Sequence, residues 1–397
     1  MTRVDDAKRI HKLNPALLGF SCIRCHADLP IGDYFEGCPA CLTAGKPATV
    51  RSEYSRWPSS LLDPSEQGMR KYAAWLPYAT WVSLGEGGTP CDSFPALAEE
   101  LKAASVFIKN EGVNPSGSHK DRASCLAVTR AIDVGATTIV AASSGNAGVS
   151  LAVYAAAAGI RCCIVTTPAL SPIYGRAITM TGAELVTVPE SLARWRRVAE
   201  MVKERDCFPA TNYLTPPVGS NHFGLDGLKT IAYEICADLG GKNLDVVVVP
   251  TSRGDLIWGL YEGFRQMREA GLLETVPRLF AIEPFPRISR VLGGEEFTGC
   301  FPGDTALVSI AGSTVTYQAI EAIRASGGGV VVVNDEDVVH DRLRLAQHGC
   351  HTELASAATL TGLAILLKDG RISRDASVVM VATSRGQGEL PEGSGAE

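Results

Sequence analysis

Lys120 is the residue of this chain best placed for covalent chemistry. It stands in Asn114-Pro115-Ser116-Gly117-Ser118-His119-Lys120-Asp121-Arg122, a run of turn formers that leads into an apolar helical stretch from Ala123 to Ile132. Asn-Pro and Ser-Gly keep the backbone out of helical geometry, and Ser118 is expected to cap the helix that follows. An ammonium ion at a helix start faces the positive end of the dipole, which favours loss of its proton. A neutral lysine amine is the nucleophile that Schiff-base chemistry needs. Taken alone, a surface lysine in a capped helix is the favoured reading. The rest of the sequence overturns it.

Two further stretches carry groups suited to anions. Ser143-Ser144-Gly145-Asn146-Ala147-Gly148 sits between a strand-like run and an alanine-rich helix. A turn there exposes backbone N–H groups that suit a carboxylate. Thr251-Ser252-Arg253-Gly254-Asp255 likewise separates the apolar run Val246 to Pro250 from a helix expected to start at Leu256. Thr251, Ser252 and the backbone from Arg253 to Asp255 could converge on a phosphate. Arg253 either pairs with that dianion or points away while its N–H binds. The tetrapeptide Thr-Ser-Arg-Gly recurs as Thr383 to Gly386 after the buried-type run Ser377 to Val381. Nothing flanking it repeats, so convergent turn chemistry explains it.

Near the N-terminus, Cys22-Ile-Arg-Cys25 and Cys38-Pro-Ala-Cys41 form a paired knuckle pattern. Two CxxC turns can complete a tetrahedral sulfur site, and a structural zinc ion is favoured over free thiols or a redox pair. His26 follows a ligand directly and is read as a bystander. The remaining cysteines of the 12 lie scattered in apolar segments and are expected to be reduced.

Strands are expected at Ser105 to Asn110, Thr137 to Ala142, Arg161 to Thr167, Glu184 to Val188, Asp245 to Val249, Arg278 to Ile282, Gly329 to Val333 and Ser377 to Val381. Continuous β-branched runs separated by helical stretches mean parallel sheets covered on both faces. Residues from about 45 to 82, rich in Pro, Ser and Trp, read as a connector, and the glycines around Glu86 as a tight turn. A chain of 397 residues exceeds one compact core. Its 46% hydrophobic and 20% charged residues describe an ordinary soluble protein. A net charge of −6 argues against nucleic acid as a partner. No apolar run is long enough for a bilayer, and acids stand where a signal peptide would have none, so the cytoplasm is the expected address. The polar tail from Gly386 to Glu397 is expected to fray.

The lysine motif resembles that of the fold-type II pyridoxal-phosphate enzymes, in the form found in threonine synthases. Val82 to Pro90, Gly227 to Ile235, His351 to Ala358 and the cysteine-rich leader resemble that family in the same order. His119 and Ala123 replace its usual aromatic and glycine beside the lysine. Ser252 and Arg253 replace glycines of its phosphate loop, and His26 and Leu42 those after the second and fourth cysteines.

The resemblance implies an α/β fold of two three-layer αβα parallel-sheet domains with a zinc-ribbon-like hairpin. The expected boundaries are residues 1–60 for the leader and connector, 61–120 plus 225–397 for the large cofactor-binding domain, and 121–224 for the small domain. Lys120 would hold pyridoxal 5′-phosphate as an internal aldimine, and Asn146 would face its phenolic oxygen. Thr251, Ser252, Arg253, Gly254 and Asp255 would hold the phosphate. Thr383, with Ser384 in reserve, would meet the pyridine nitrogen. Ser116, Ser118, Ser143, Ser144 and Gly145 would take the substrate, with His119, His351 and Arg176 as further candidates.

The implied activity is conversion of O-phosphohomoserine and water to threonine and phosphate, in a homodimer acting on a small amino acid. Two alternatives stand beside it: β-replacement or β-elimination on serine, phosphoserine or another activated amino acid, and a non-catalytic homologue whose ribbon binds partners. No effector-binding extension is expected after residue 386.

Overall fold

Strand pairing explains the periodic β-branched runs, and the turns between them place the chemistry. The computed structural model describes residues 11–386 other than 206, 241 and 242, together with 388 and 389. Most of the polar tail therefore lies outside the described residues.

The leader contains β1 (Leu17–Cys22), β2 (Asp28–Leu29), a short helix α1 (Pro39–Thr43) and β3 (Val50–Tyr54). The β1–β2 hairpin is one edge of a three-stranded sheet, because β3 pairs along the other side of β1 with Ser52 opposite Phe20. Next come β4 (Cys91–Ser93), α2 (Pro95–Leu101), β5 (Ser105–Asn110) and the lysine helix α3 (Lys120–Asp133). Strands and helices then alternate: β6 (Thr138–Ala142), α4 (Asn146–Ala158), β7 (Arg161–Thr166), α5 (Pro172–Thr179), β8 (Glu184–Thr187), α6 (Ser191–Arg205) and β9 (Phe208–Pro209). Helix α7 (His222–Leu239) leads to β10 (Val246–Pro250), α8 (Asp255–Glu269), β11 (Arg278–Glu283) and α9 (Ile288–Leu292). The chain ends with α10 (Tyr317–Ala325), β12 (Gly329–Val332), α11 (Asp335–Gln347), α12 (Leu354–Lys368) and β13 (Ser377–Ala382).

A six-stranded sheet has the order β12-β11-β10-β13-β5-β4, and a four-stranded sheet the order β8-β7-β6-β9. All pairs in these two sheets are parallel except β4 with β5. The short polar β4 (Cys-Asp-Ser) has no β-branched signal, and only its place beside β5 makes it a strand. Both faces of β10 are covered, which is why its four valines run without alternation. Loops at the carboxyl ends of parallel strands gather ligands. Here those ends are Asn110 before the lysine loop, Ala142 before Ser143, Pro250 before Thr251, and Ala382 before Thr383.

Helices α3 and α7 cross closely enough that a Cβ on Gly227 would lie 1.7 Å from the Arg122 carbonyl oxygen. At that crossing Arg122 is fully buried. Its Nε donates to Glu111 at 2.7 Å, and Nη1 and Nη2 donate to Glu234 at 2.7 Å each. Lys109 adds a second cation 2.8 Å from Glu234. Burial alone would raise the Glu234 carboxyl, but the charges of Arg122 and Lys109 outweigh it and hold the group below its ordinary value. The stability this supplies is complete above the unfolded carboxylate range and is lost as pH falls through the lower folded value.

Replacing Arg122 with Ala leaves Glu111 in the core without its cation and Glu234 with Lys109 alone. That should destabilise the fold by about 3–5 kcal/mol, the scale of a broken buried ion pair. Denaturant unfolding measures it, and an unchanged midpoint would mean that water already screens the site.

Candidate active site

A cleft of about 960 Å³ opens where the loops of the two larger sheets meet. Lys120 lines it as the first residue of α3. Its amine is lowered from the ordinary lysine value, chiefly by burial. Asp255 and Glu353 oppose that shift, and Arg253 adds to it. Lost water, rather than the helix start, is thus the leading cause. His119 rather than Ser118 occupies the N-cap position of α3, and the Ser118 hydroxyl reaches the Lys120 N–H only at 3.4 Å.

Ser118 and Ser116 do not join the cleft lining. Ser118 forms a backbone bridge with Ser384, while Ser116 donates its N–H to Asp121 at 2.7 Å and its hydroxyl to the same carboxylate. They shape the lysine loop from outside the cleft lining. His119 does line the cleft. Burial pushes it well below the usual imidazole value, and its Nδ1 lies 3.2 Å from the Thr383 carbonyl, which can only accept. His351 and Arg176 are exposed and outside the lining, but Glu353 and Tyr174, two positions away from them, line it.

Ser143, Ser144, Gly145 and Asn146 all face the cleft. The Ser143 hydroxyl accepts from Gly148 N–H at 2.8 Å and is largely committed to starting α4. Ser144 is exposed, and its hydroxyl accepts from Arg194 Nη1 at 3.1 Å. Asn146 donates from Nδ2 to Glu353 at 3.0 Å and accepts at Oδ1 from Tyr174 at 3.0 Å. Thr383 donates to the other oxygen of Glu353 at 2.9 Å.

The loop from Thr251 to Asp255 forms the opposite wall. Thr251 spends its donors on backbone carbonyls, the hydroxyl on Val249 and the N–H on Ile282. The Asp255 carboxylate is taken by Ser220 Oγ at 2.6 Å and Gln318 Nε2 at 2.7 Å. Donation therefore falls to Ser252, Arg253 and the backbone. No side chain caps α8, so its first N–H groups remain available to an anion. Gly254 has φ +113° and a Cβ there would lie 2.3 Å from Ala319 Cβ, so only glycine fits.

Arg287, fully buried, ties down the carbonyls of Ser252 at 3.0 Å and Thr251 at 2.8 Å. The Arg253 guanidinium stacks over Trp195 at 4.8 Å, and its buried Nε has no partner. No acid among the described residues acts on Arg194, while the charge of Asp255 partly opposes the effect of burial on Arg253. Burial and the charge of Arg253 push Arg194 down to about 10. This cationic wall and the uncapped helix fit a bound phosphate.

Away from the cleft, the four thiols of Cys22, Cys25, Cys38 and Cys41 lie within 4.8 Å of one another. The Cys22–Cys41 and Cys25–Cys38 sulfur distances are 3.6 Å each. Tetrahedral zinc thiolates stand about 3.8 Å apart. His26 is exposed with φ 60°, the left-handed conformation in which glycine is usual.

Residues 82–384 match the family described as pyridoxal-phosphate dependent enzyme. The threonine synthase of Methanocaldococcus jannaschii is 32% identical over 333 residues, covering 81% of this chain and 80% of that protein. The threonine synthase of Methanosarcina acetivorans is 33% identical over 327 residues, covering 79% and 78%. Maize serine racemase shares the fold with a TM-score of 0.65 at 18% identity, over 75% of this chain and 88% of that one. The chain belongs to the pyridoxal-phosphate dependent enzymes. Within them it is a threonine synthase-like lyase.

Sequence reasoning missed Glu353, Tyr174, Arg194 and Arg287. Glu353 lies inside a stretch already matched to the family, but the histidine beside it drew attention. The other three have no local motif and reach the site only through tertiary packing.

Gly254→Ala should weaken pyridoxal 5′-phosphate binding by at least about tenfold, since forcing a Cβ against α10 at positive φ costs more than one kilocalorie. Equilibrium dialysis reads this, and unchanged affinity would remove loop 251–255 from the phosphate site.

Proposed function

We propose that this protein converts O-phosphohomoserine and water to threonine and phosphate. The observation that carries the reading is the meeting of Lys120, Asn146, Thr383 and loop 251–255 in one cleft, in a chain whose relatives are threonine synthases. Bound there, pyridoxal 5′-phosphate supplies a conjugated ring that takes up electron pairs left at the substrate's carbons. Lys120 is its attachment point. Ser252, Arg253 and the N–H groups of 253–255 hold its phosphate, Asn146 faces its phenolic oxygen, and Thr383 its ring nitrogen.

Lys120 would take and return protons at the substrate's α and β carbons. Its desolvated amine is suited to that because less energy separates its two protonation states. Ser144 and Gly145 hold the substrate carboxylate. Arg194, with Arg253 behind it, supplies cations beyond those one cofactor phosphate needs, which supports a phosphorylated substrate over one with a neutral leaving group. The same reading includes the domain boundaries at 60, 120 and 224, a homodimer, and a cytoplasmic address; the membership of the two larger sheets and the family's habit support it.

We also propose that Cys22, Cys25, Cys38 and Cys41 hold a structural zinc ion. The leader is joined to the catalytic body by Ser52 donating to Asp226 at 2.5 Å and by Asp33 accepting from Arg130 at 2.8 Å. Removing zinc with a chelator should lower the melting temperature and release about one zinc per chain, measured by atomic emission. A metal-free protein with an unchanged melting curve would contradict a structural ion.

Supplied with O-phosphohomoserine, the cofactor-loaded protein should release phosphate and threonine in equal amounts, and Lys120→Ala should release neither. Cofactor uptake with neither product would point to another amino acid, such as serine or phosphoserine.

A further inference from the structure

Glu353 occupies the N-cap position of α12, yet its carboxylate does not cap that helix. The Leu354 N–H is satisfied instead by Glu389, at 3.0 and 3.2 Å, and Glu389 pairs with Arg342 at 3.1 Å. Glutamate is not among the favoured capping residues, and this one, 1% exposed, has to find its partners inside the fold. Its Oε2 accepts from Asn146 Nδ2 at 3.0 Å and from Ser309 Oγ at 3.1 Å. Its Oε1 meets Thr383 Oγ1 at 2.9 Å. One carboxyl therefore touches both residues read as facing the cofactor's phenolic oxygen and its ring nitrogen.

Thr383 has a single hydroxyl proton. Its oxygen also lies 2.8 Å from Ser356 Oγ, and Ser356 Oγ accepts from the Thr383 N–H at 2.8 Å, which leaves the Ser356 hydroxyl to donate to Thr383. With Glu353 ionised, Thr383 donates to Oε1 and can offer a ring nitrogen only a lone pair. With Glu353 neutral, Oε1 carries the proton and donates to Thr383 Oγ1, and the Thr383 hydrogen turns towards the ring nitrogen. Oε2 accepts from Asn146 and Ser309 in both states. Only the Thr383 bond reverses, and one proton is kept between the carboxyl and the ring nitrogen.

We propose that Glu353 is a positioning residue that sets the hydrogen-bond direction of Thr383 and the amide orientation of Asn146, and so governs the ring nitrogen's proton through one hydroxyl. The proposal rests on the cofactor reading given above. Asn146 fits it, because Tyr174 and Ser384 hold its Oδ1 at 3.0 and 3.3 Å and leave its second Nδ2 hydrogen for the cleft. Burial raises Glu353 above the usual carboxyl value against the opposing pull of its hydrogen bonds and Lys120. That brings its neutral form into use nearer neutral pH. The titratable groups around it are Lys120 on α3, Tyr174 on α5, Glu389 with its partner Arg342, and the buried His119 beside Thr383.

The test uses the full chain loaded with pyridoxal 5′-phosphate and reads its visible absorption against pH together with its dissociation constant. Glu353→Gln imitates the neutral acid, since its amide donates to Thr383 and accepts from Asn146. One pH-dependent change in the band should be present in the native protein and Glu353→Asp and absent in Glu353→Gln. Affinity should stay within about threefold in Glu353→Gln and fall about tenfold in Glu353→Ala. A native band that ignores pH, a Glu353→Gln band that titrates as the native one does, or native affinity in Glu353→Ala overturns the proposal. Failure of the underlying reading is seen separately, as a protein that takes up no cofactor or whose band survives Lys120→Ala.

Discussion

The buried ion cluster around Arg122 is the constraint on which the site depends. Successive helical residues turn by about 100°, so Lys120 and Arg122 leave α3 on opposite sides. One faces the cleft and the other the core. Buried charges are tolerated only when every member finds a partner. Glu111 closes the turn after β5, Glu234 comes from α7, and Gly88 donates its N–H to Glu234 at 2.8 Å. Asn114, at the start of the lysine loop, accepts from Gly87 N–H at 2.9 Å and donates to Glu111 at 2.9 Å. Three segments, residues 87–88, 111–114 and α7, are thus locked to the helix that carries the reactive amine.

Cations and acids then share the cleft. Lys120 is stripped of water, Arg194 has no acidic partner among the described residues, and Glu353 is buried with its carboxyl raised. Such a wall is unfavourable without anions and is completed by them. The phosphate of a cofactor and the charges of a phosphorylated amino acid are the groups it fits.

Much of this was legible in the sequence. Eight β-branched runs mark strands of the two parallel sheets, most clearly where both faces are covered, as in β10. The turns after β5, β6, β10 and β13 are likewise readable, since a parallel sheet brings its carboxyl ends together. The family resemblance placed Lys120, Asn146 and Thr383 at those ends. What could not be read depends on which donors are already spent. Thr251 and Ser116 have suitable hydroxyls, but the fold uses them on a carbonyl and on Asp121. Glu353 before an alanine-rich helix carries no local signal, and its place in the cleft follows from the partners its buried carboxyl meets. Arg194 and Arg287 are single arginines whose meaning lies wholly in what they meet.

The most direct test of the account is where the cofactor attaches. Borohydride reduction of the loaded protein, followed by peptide mass mapping, should find the phosphopyridoxyl group on the peptide containing Lys120 and on no other lysine. Attachment at another lysine, or no attachment by a protein that binds the cofactor, would contradict the assignment of this cleft as the active site.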